Sequence, residues 1–354
     1  MEQIYTNNNR IIWIDWAKSV CMFLVIIGHC HIQEHEGIGI QLIYSFHIQL
    51  FFFLSGTLCK RAISISSLKK DFNYLIIPYL TFGILTIFCD TIRAKSLQSE
   101  VLMFQMKDLL TGYHTYIGPY WFLLSMFICK QLFLLIKMTK DYSITLYYLI
   151  TSLTFIPAYF IYQNHYNLPF FADSALFGLP FFILGNESLH FIEKFQNKAW
   201  QLQITGLFLL SIISYNLSKA NGFVSIAGCI TGNSIFLYYT NSIIAIFAVI
   251  LFCTIVCRLI DSTFITITSY GTIATLGCHS FFLTLLYYYI PKLLGITTMS
   301  YSWLTGILFS IITYAGCYIL IIYLDKYIPK PFGLKGNLLK LLHPKKIRHL
   351  PFVY

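Results

Sequence analysis

Charge is what this chain has least of. Of its 354 residues only 11% are Asp, Glu, Lys or Arg, against roughly a quarter in an average soluble domain, while 57% are hydrophobic. So few solvated side chains cannot clothe an aqueous surface of this size, and the composition is that of an integral membrane protein. Carboxylates are scarcer than bases, 14 against 24, which gives a net charge of +10. The bases are scattered between apolar segments that also hold the aromatic residues, 18% of the chain, so membrane topology accounts for the charge better than a nucleic-acid partner does. Also missing are a Ser/Pro-rich linker, a low-complexity block and any gap between apolar runs wide enough for an aqueous domain. One polytopic domain follows. Ten cysteines are present but have no paired spacing, which excludes a zinc cluster and a disulfide framework; Cys21, Cys89, Cys129, Cys253, Cys257 and Cys317 lie inside apolar runs as packing residues. No A-x-A-like cleavage site follows GHCH, so the first apolar run is expected to stay as a helix.

What the sequence does have is long apolar runs. A spanning helix needs about 20 mainly apolar residues, and ten segments qualify: 12–31, 39–58, 72–92, 118–137, 143–162, 170–190, 200–217, 236–257, 270–290 and 302–324. The Gly-rich stretch 222–235 is too short to span and has the character of a re-entrant or interfacial piece. With a cytoplasmic N-terminus, the inner side receives Arg10, Lys60, Arg61, Lys69, Lys70, Lys140, Lys194, Lys198, Arg258 and the basic tail. The outer side receives Arg93, Lys95, Lys107, Lys219 and Lys292. That asymmetry predicts an all-α bundle with both termini cytoplasmic.

The first run, IDWAKSVCMFLVIIGHC at residues 14–30, carries ionisable groups at both ends. Lys18 and His29 are eleven positions apart, which at 100° per residue returns them to within about 20° of one helix face, roughly 16 Å apart along the axis. Asp15 lies a turn before Lys18, so the helix is expected to carry an Asp15–Lys18 ion pair near its cytoplasmic end and an imidazole near its outer end. Ionisable groups inside a bilayer are expensive and normally face a cavity or a partner. The plainer account of Asp15 and Lys18 is that they reach to the interface. The second run, IYSFHIQLFFFLSG at residues 43–56, places His47 in the outer half at a depth near His29, with Tyr44 one turn before it. Histidines at one depth either converge on a pocket or hydrogen-bond between helices.

Together with these, the phrase WIDWAKSVCMFLVIIGH, YSFHIQLFFFLSG, the cationic turn CKRAI, YLIIPY (74–79) and GPYWFLLSMF (118–127) resemble the membrane-bound acyltransferase family 3, and within it the fucose 4-O-acetylase-like branch. The specific motifs run from residue 10 to about 130; beyond that the resemblance consists of hydropathy and a loose LGCHSFFL, and where the family often has a histidine late in the ninth segment this chain has LTLLYYYI. The resemblance implies transfer of an acyl group, usually acetyl from acetyl-CoA, onto hydroxyls of surface glycans or related molecules. It makes Lys18 and His29 the signature active-site pair. It also implies a transmembrane acyltransferase domain over residues 1–328, a basic cytoplasmic tail over 329–354, and a multi-pass protein of the bacterial cytoplasmic membrane.

The chemistry of the residues is compatible with that. Acyl transfer to a sugar hydroxyl needs a base, and a neutral imidazole suits the task, so His29 is the candidate base, with an acyl-histidine intermediate as the other route. Asp15, Lys18 and His47 complete the candidate catalytic set, with Lys18 either contacting the donor or neutralising Asp15. Lys60, Arg61, Lys69 and Lys70 either bind the phosphates of acyl-CoA or only obey the positive-inside rule. Trp121, at the start of helix four, is a stacking platform for a glycan or lipid-linked sugar acceptor or an interfacial anchor, and Tyr44 joins it as a candidate acceptor contact. Asn241, His279 and Asp173 line the same cavity or bond helices together. No metal and no nucleic acid are expected; membrane lipids are. The rival function is a secondary transporter or flippase with Asp15, Lys18 and His29 as a proton relay. Transporters usually show two matching halves, and here the polar motifs crowd into the first 130 residues instead. A structural or sensory membrane subunit would leave the histidines without a role.

Overall fold

A computed structural model of the chain describes residues 10–30, 37–60, 62–94, 99–112, 115–164, 166–196, 198–296 and 302–342. Among the described residues the fold is helical throughout, apart from one isolated bridge between Ser225 and Ile230. The N-terminal part comprises α1 (Ile12–His29), α2 (Ile38–Tyr44), α3 (His47–Thr57), α4 (Ile65–Asp71), α5 (Ile77–Ala94), α6 (Ser99–Thr111) and α7 (Trp121–Tyr142). The middle is α8 (Ile144–Leu153), α9 (Phe155–Asn164), α10 (Ala172–Gln196), α11 (Trp200–Asn221) and α12 (Ile235–Leu259). The rest is α13 (Thr263–Tyr270), α14 (Thr272–Thr284), α15 (Ile290–Leu293), α16 (Trp303–Tyr327) and α17 (Leu338–Leu342).

Nine stretches among the described residues are long and apolar enough to cross a bilayer, each matching one of the ten expected runs, and the chain is an all-α polytopic membrane bundle. The run at 200–217 is the exception. It forms α11, 22 residues long, but Gln201, Gln203, Ser214, Asn216 and Ser218 dilute its apolar character, and it is not among the nine.

Helix α1 lies at the centre, packed against α2, α3, α12, α13, α14 and α16. Its apolar residues point in several directions, and Trp13, Ala17, Cys21, Met22, Val25 and Ile26 are all buried. A helix apolar around its circumference belongs inside a bundle. The tightest crossing is α3 on α10. A Cβ on Gly56 would sit 1.9 Å from the Phe182 carbonyl oxygen, and one on Gly185 would sit 2.0 Å from that of Phe53, so only glycine lets the two backbones meet. The crossing is sealed by Thr57 Oγ1 donating to Gly185 O (3.1 Å) and Asn186 Nδ2 donating to the carbonyls of Gly56 and Cys59 (2.9 Å each). Small residues that admit close backbones, with polar side chains bonding across, are the usual means of joining helices in lipid.

The second span is broken. Between α2 and α3 the backbone leaves helical geometry at Phe46 (φ −143°). Broken backbone inside a bundle survives only where its freed groups find partners. Ser242 Oγ on α12 donates to Ser45 O (2.6 Å), and Cys21 Sγ on α1 donates to His47 O (2.8 Å). At the other end of the chain, residues 330–338 return to the bundle: Phe332 meets the ring of Phe82 at 5.6 Å, and Leu334 and Leu338 are buried with Ile267, Ala274 and Ile321.

Candidate active site

Two cavities open at the two ends of α1. The first, about 220 Å³, is lined by His29, Tyr44, His47 and Trp121, with Val25, Leu276 and the turn Ser225–Ala227 completing the wall. The break in the second span explains how Tyr44 and His47 share this space. An unbroken helix would set them one turn apart on a continuous face, whereas the kink brings their rings edge to face at 4.8 Å. Each is tied down by the backbone. Tyr44 donates its hydroxyl to Gly28 O (3.0 Å), and His47 Nδ1 lies 2.7 Å from Ile43 O. A carbonyl only accepts, so Nδ1 of His47 carries the proton and Nε2 is left as an acceptor.

His29 is exposed at this cavity, and its ring packs at 5.1 Å from that of His279. His279 is fully buried behind it, with Nδ1 at 3.1 Å from Thr275 O; it is not among the residues lining the cavity, and its Nε2 has no hydrogen-bond partner among the described residues. The roof comes from the stretch that the sequence marked as re-entrant or interfacial. It is a tight turn closed by the Ser225–Ile230 bridge and anchored by Ser174 Oγ donating to Ile226 O (3.0 Å). Cys229 in this turn is not a nucleophile, since burial, with Asp173 nearby, holds its thiol well above the usual range. A third cavity, about 250 Å³, adjoins the first across Gly118 and Pro119; it is lined by Thr86, Ser280, Thr284 and the paired Asp90 and Arg93.

The other end of α1 opens into a larger cavity, about 740 Å³, lined by Lys18, Lys70, Lys130, Lys330 and Lys335 together with Asp71, Asn73 and Tyr74. Five lysines face one carboxylate, and that carboxylate is already engaged: Asp71 accepts from Lys130 (2.6 Å) and Gln131 (3.3 Å). The surplus of cations defines a polyanion site. Along the α1 face between Lys18 and His29 lie Met22 and Val25, both buried, so the lysine and histidine cavities are two chambers divided by apolar side chains, not one open channel.

Several expected contacts fall elsewhere. Asp15 does not pair with Lys18. It forms an ion pair with Arg10 (2.7 Å) and accepts from Ser269 Oγ (2.7 Å), because Arg10 reaches it from the preceding turn while Lys18 points into the cavity. Asn241 lines none of these cavities; its amide bridges α11 and α12, accepting from Ser214 and donating to Ser218 (2.8 Å each). Asp173 caps the turn before α10 by accepting from the backbone N–H groups of Leu168 (3.1 Å) and Ser174 (2.6 Å). Of the four bases expected at the donor phosphates, Lys70 lines the lysine cavity, Lys60 and Lys69 are exposed outside it, and Arg61 lies outside the described residues. Lys130, Lys330 and Lys335 were missed. Lys130 is an ion buried in an apolar run, which is a signal in itself; the other two sit in a Pro/Gly turn that resembled a tail. Among the described residues no cluster of three His, Cys, Asp or Glu is placed to hold a metal.

A central helix with a cation in one chamber and an imidazole in the other is an arrangement for handling an anionic donor and a hydroxylic acceptor on opposite sides of a membrane. The family comparison agrees. A family model described as an acyltransferase domain (Acyl_transf_3) matches residues 11–322, and the chain belongs to that family. It is therefore a multi-pass membrane acyltransferase and not the transporter weighed above. No curated protein matches the chain, and no solved structure does.

Proposed function

We propose that the protein is an O-acyltransferase of the bacterial cytoplasmic membrane that takes an acyl group, most simply acetyl, from acyl-CoA held in the lysine cavity on the cytoplasmic side. It passes that group to a hydroxyl of a glycan or lipid-linked sugar in the histidine cavity. The observation that carries this is the placement of Lys18 and His29 on one helix with a separate cavity at each. The lysines neutralise the donor phosphates. The uncharged pantetheine arm extends roughly 15 Å, about the rise of the helix between the two residues. Met22 and Val25 shift aside as the arm threads past them, which a flexible methionine tolerates well.

At the outer end, His29 removes the proton as the acceptor oxygen attacks the thioester carbonyl. The tetrahedral intermediate collapses with cleavage of the C–S bond, and the imidazolium returns the proton to the departing thiolate. The unprotonated Nε2 of His47 accepts a hydrogen bond from the acceptor and orients it. Trp121 offers an apolar ring face to the sugar, and the adjoining Asp90–Arg93 cavity gives the rest of the acceptor room.

The test is transfer in proteoliposomes, followed by free-thiol release and by NMR of ester on the glycan. His29→Ala abolishes ester formation while acyl-CoA still binds, and Lys18→Met weakens acyl-CoA binding. Unchanged esters in the His29→Ala protein refute the assignment.

A further inference from the structure

We propose that the turn formed by residues 329–338, pinned to the bundle by Asp325 and Tyr270, is the element that makes the donor site prefer a nucleotide-bearing thioester to a bare pantetheine thioester. This rests on acyl-CoA occupying the lysine cavity.

The turn is built to hold one position. Lys330–Phe332 form a single 3₁₀ turn, and the chain reverses through Gly333 (φ +68°) and Gly336 (φ +66°). Gly333 also lies flat on α14, where a Cβ would meet Ile273 at 2.6 Å. The polar pin is Asp325 at the end of α16, itself 6% exposed. One carboxylate oxygen accepts from Gly336 N–H (2.8 Å) and from the Tyr270 hydroxyl; the other accepts from Leu338 N–H (2.9 Å). The Tyr270 oxygen in turn accepts from Lys335 N–H (2.7 Å). Every one of these bonds is spent on backbone or on the pin itself, and neither Asp325 nor Tyr270 lines the cavity. Their effect is felt through what the turn carries. Lys330 and Lys335 are delivered to the lysine cavity, and the Lys335 ammonium sits 5.8 Å over the ring of Tyr74, another wall residue.

The placement of charge sorts the donor. Lys18 is half-buried on α1, on the face that leads toward His29, whereas Lys330 and Lys335 are exposed at the rim. The pantetheine arm has no charge, and all the phosphates of coenzyme A belong to its nucleotide end. An arm directed along α1 leaves that end at the rim, where the two lysines of the turn meet it. Lys330 and Lys335 are thus specificity-determining residues, and Asp325 and Tyr270 are positioning residues.

The experiment compares acetyl-CoA with acetyl-pantetheine as donors for the full-length protein in proteoliposomes. Lys330→Met/Lys335→Met alters exposed side chains only and is expected to raise KM for acetyl-CoA about tenfold, the factor carried by one lost charge-assisted contact, with kcat held within twofold. The preference for acetyl-CoA over acetyl-pantetheine falls by the same factor. Tyr270→Phe keeps the ring packing, loses the bond to Lys335 N–H and moves the same ratio in the same direction with an unchanged melting curve. Equal changes for both donors, or no change for either, overturn the proposal. Should Lys18→Met raise KM for acetyl-CoA while the rim pair does not, the role of the turn is refuted and the donor assignment stands. If the wild type uses neither thioester, both fall.

Discussion

Replacing Lys130 by methionine removes the cation from a buried pair and leaves Asp71 behind, a carboxylate whose side chain is 4% exposed and 2.6 Å from the lost ammonium. Breaking such a pair from one side costs about 3–5 kcal/mol. Gln131, 3.3 Å away, still donates to the carboxylate and offsets about 1 kcal/mol of that, so the net loss of stability is on the order of 2–4 kcal/mol. The unmatched charge also faces the donor. A cavity of about 740 Å³ sets a separation of roughly 9 Å between Asp71 and a bound phosphate. At an effective dielectric of about 20 that repulsion is nearly 2 kcal/mol, or about 20-fold in KM for acetyl-CoA. Asp71→Asn/Lys130→Met removes both charges, and it is expected to recover stability to within about 1 kcal/mol of the wild type and to return most of the KM change. Thermal unfolding in detergent measures the first quantity, and thiol release at varied acetyl-CoA measures the second. If the double variant is as unstable as Lys130→Met and its KM stays high, the stranded carboxylate is not the cause and the electrostatic account of this cavity is wrong.

Gly56→Ala and Gly185→Ala each drive a methyl group into a backbone carbonyl, and forcing α3 from α10 is expected to cost about 3 kcal/mol or more, seen as a large drop in melting temperature in detergent. Gly206→Ala, where the nearest atom is a leucine methyl at 3.3 Å, serves as the tolerated comparison. Ser242→Ala strands the Ser45 carbonyl at the break in the second span; about 1–3 kcal/mol of stability is lost and kcat falls with KM for acetyl-CoA unchanged, because the break shapes only the histidine cavity. Tyr44→Phe loses the bond to Gly28 and is expected to lower ester formation by less than about tenfold, far short of His29→Ala; equal losses would mean that the Tyr44 hydroxyl itself takes part in the chemistry.

Hydropathy made the helical class legible, because a span of lipid leaves little choice of structure. The relation between Lys18 and His29 was legible for a similar reason, since helical geometry fixes an eleven-residue separation without any tertiary information. The break at Phe46 was not. The run around it is apolar without proline or glycine at the kink, and what stabilises the break is Ser242, nearly two hundred residues further along. Lys130 was hidden because its partner, Asp71, belongs to another helix. Asn241 misled because an amide within an apolar run looks the same whether it faces a substrate or two serines of a neighbouring helix.

Because a single rigid helix bears both Lys18 and His29, the gap between donor anchor and base is gauged by the peptide rise itself and does not depend on any loop or hinge. Such a gauge is indifferent to rearrangements elsewhere in the bundle but intolerant of miscounting. One residue added between positions 18 and 29 would lengthen it by only about 1.5 Å yet swing the imidazole by about 100°, out of its chamber and into the packing. Evolution can therefore retune which thioesters and sugars this scaffold accepts by changing the walls at either mouth, while the number of residues between them stays locked.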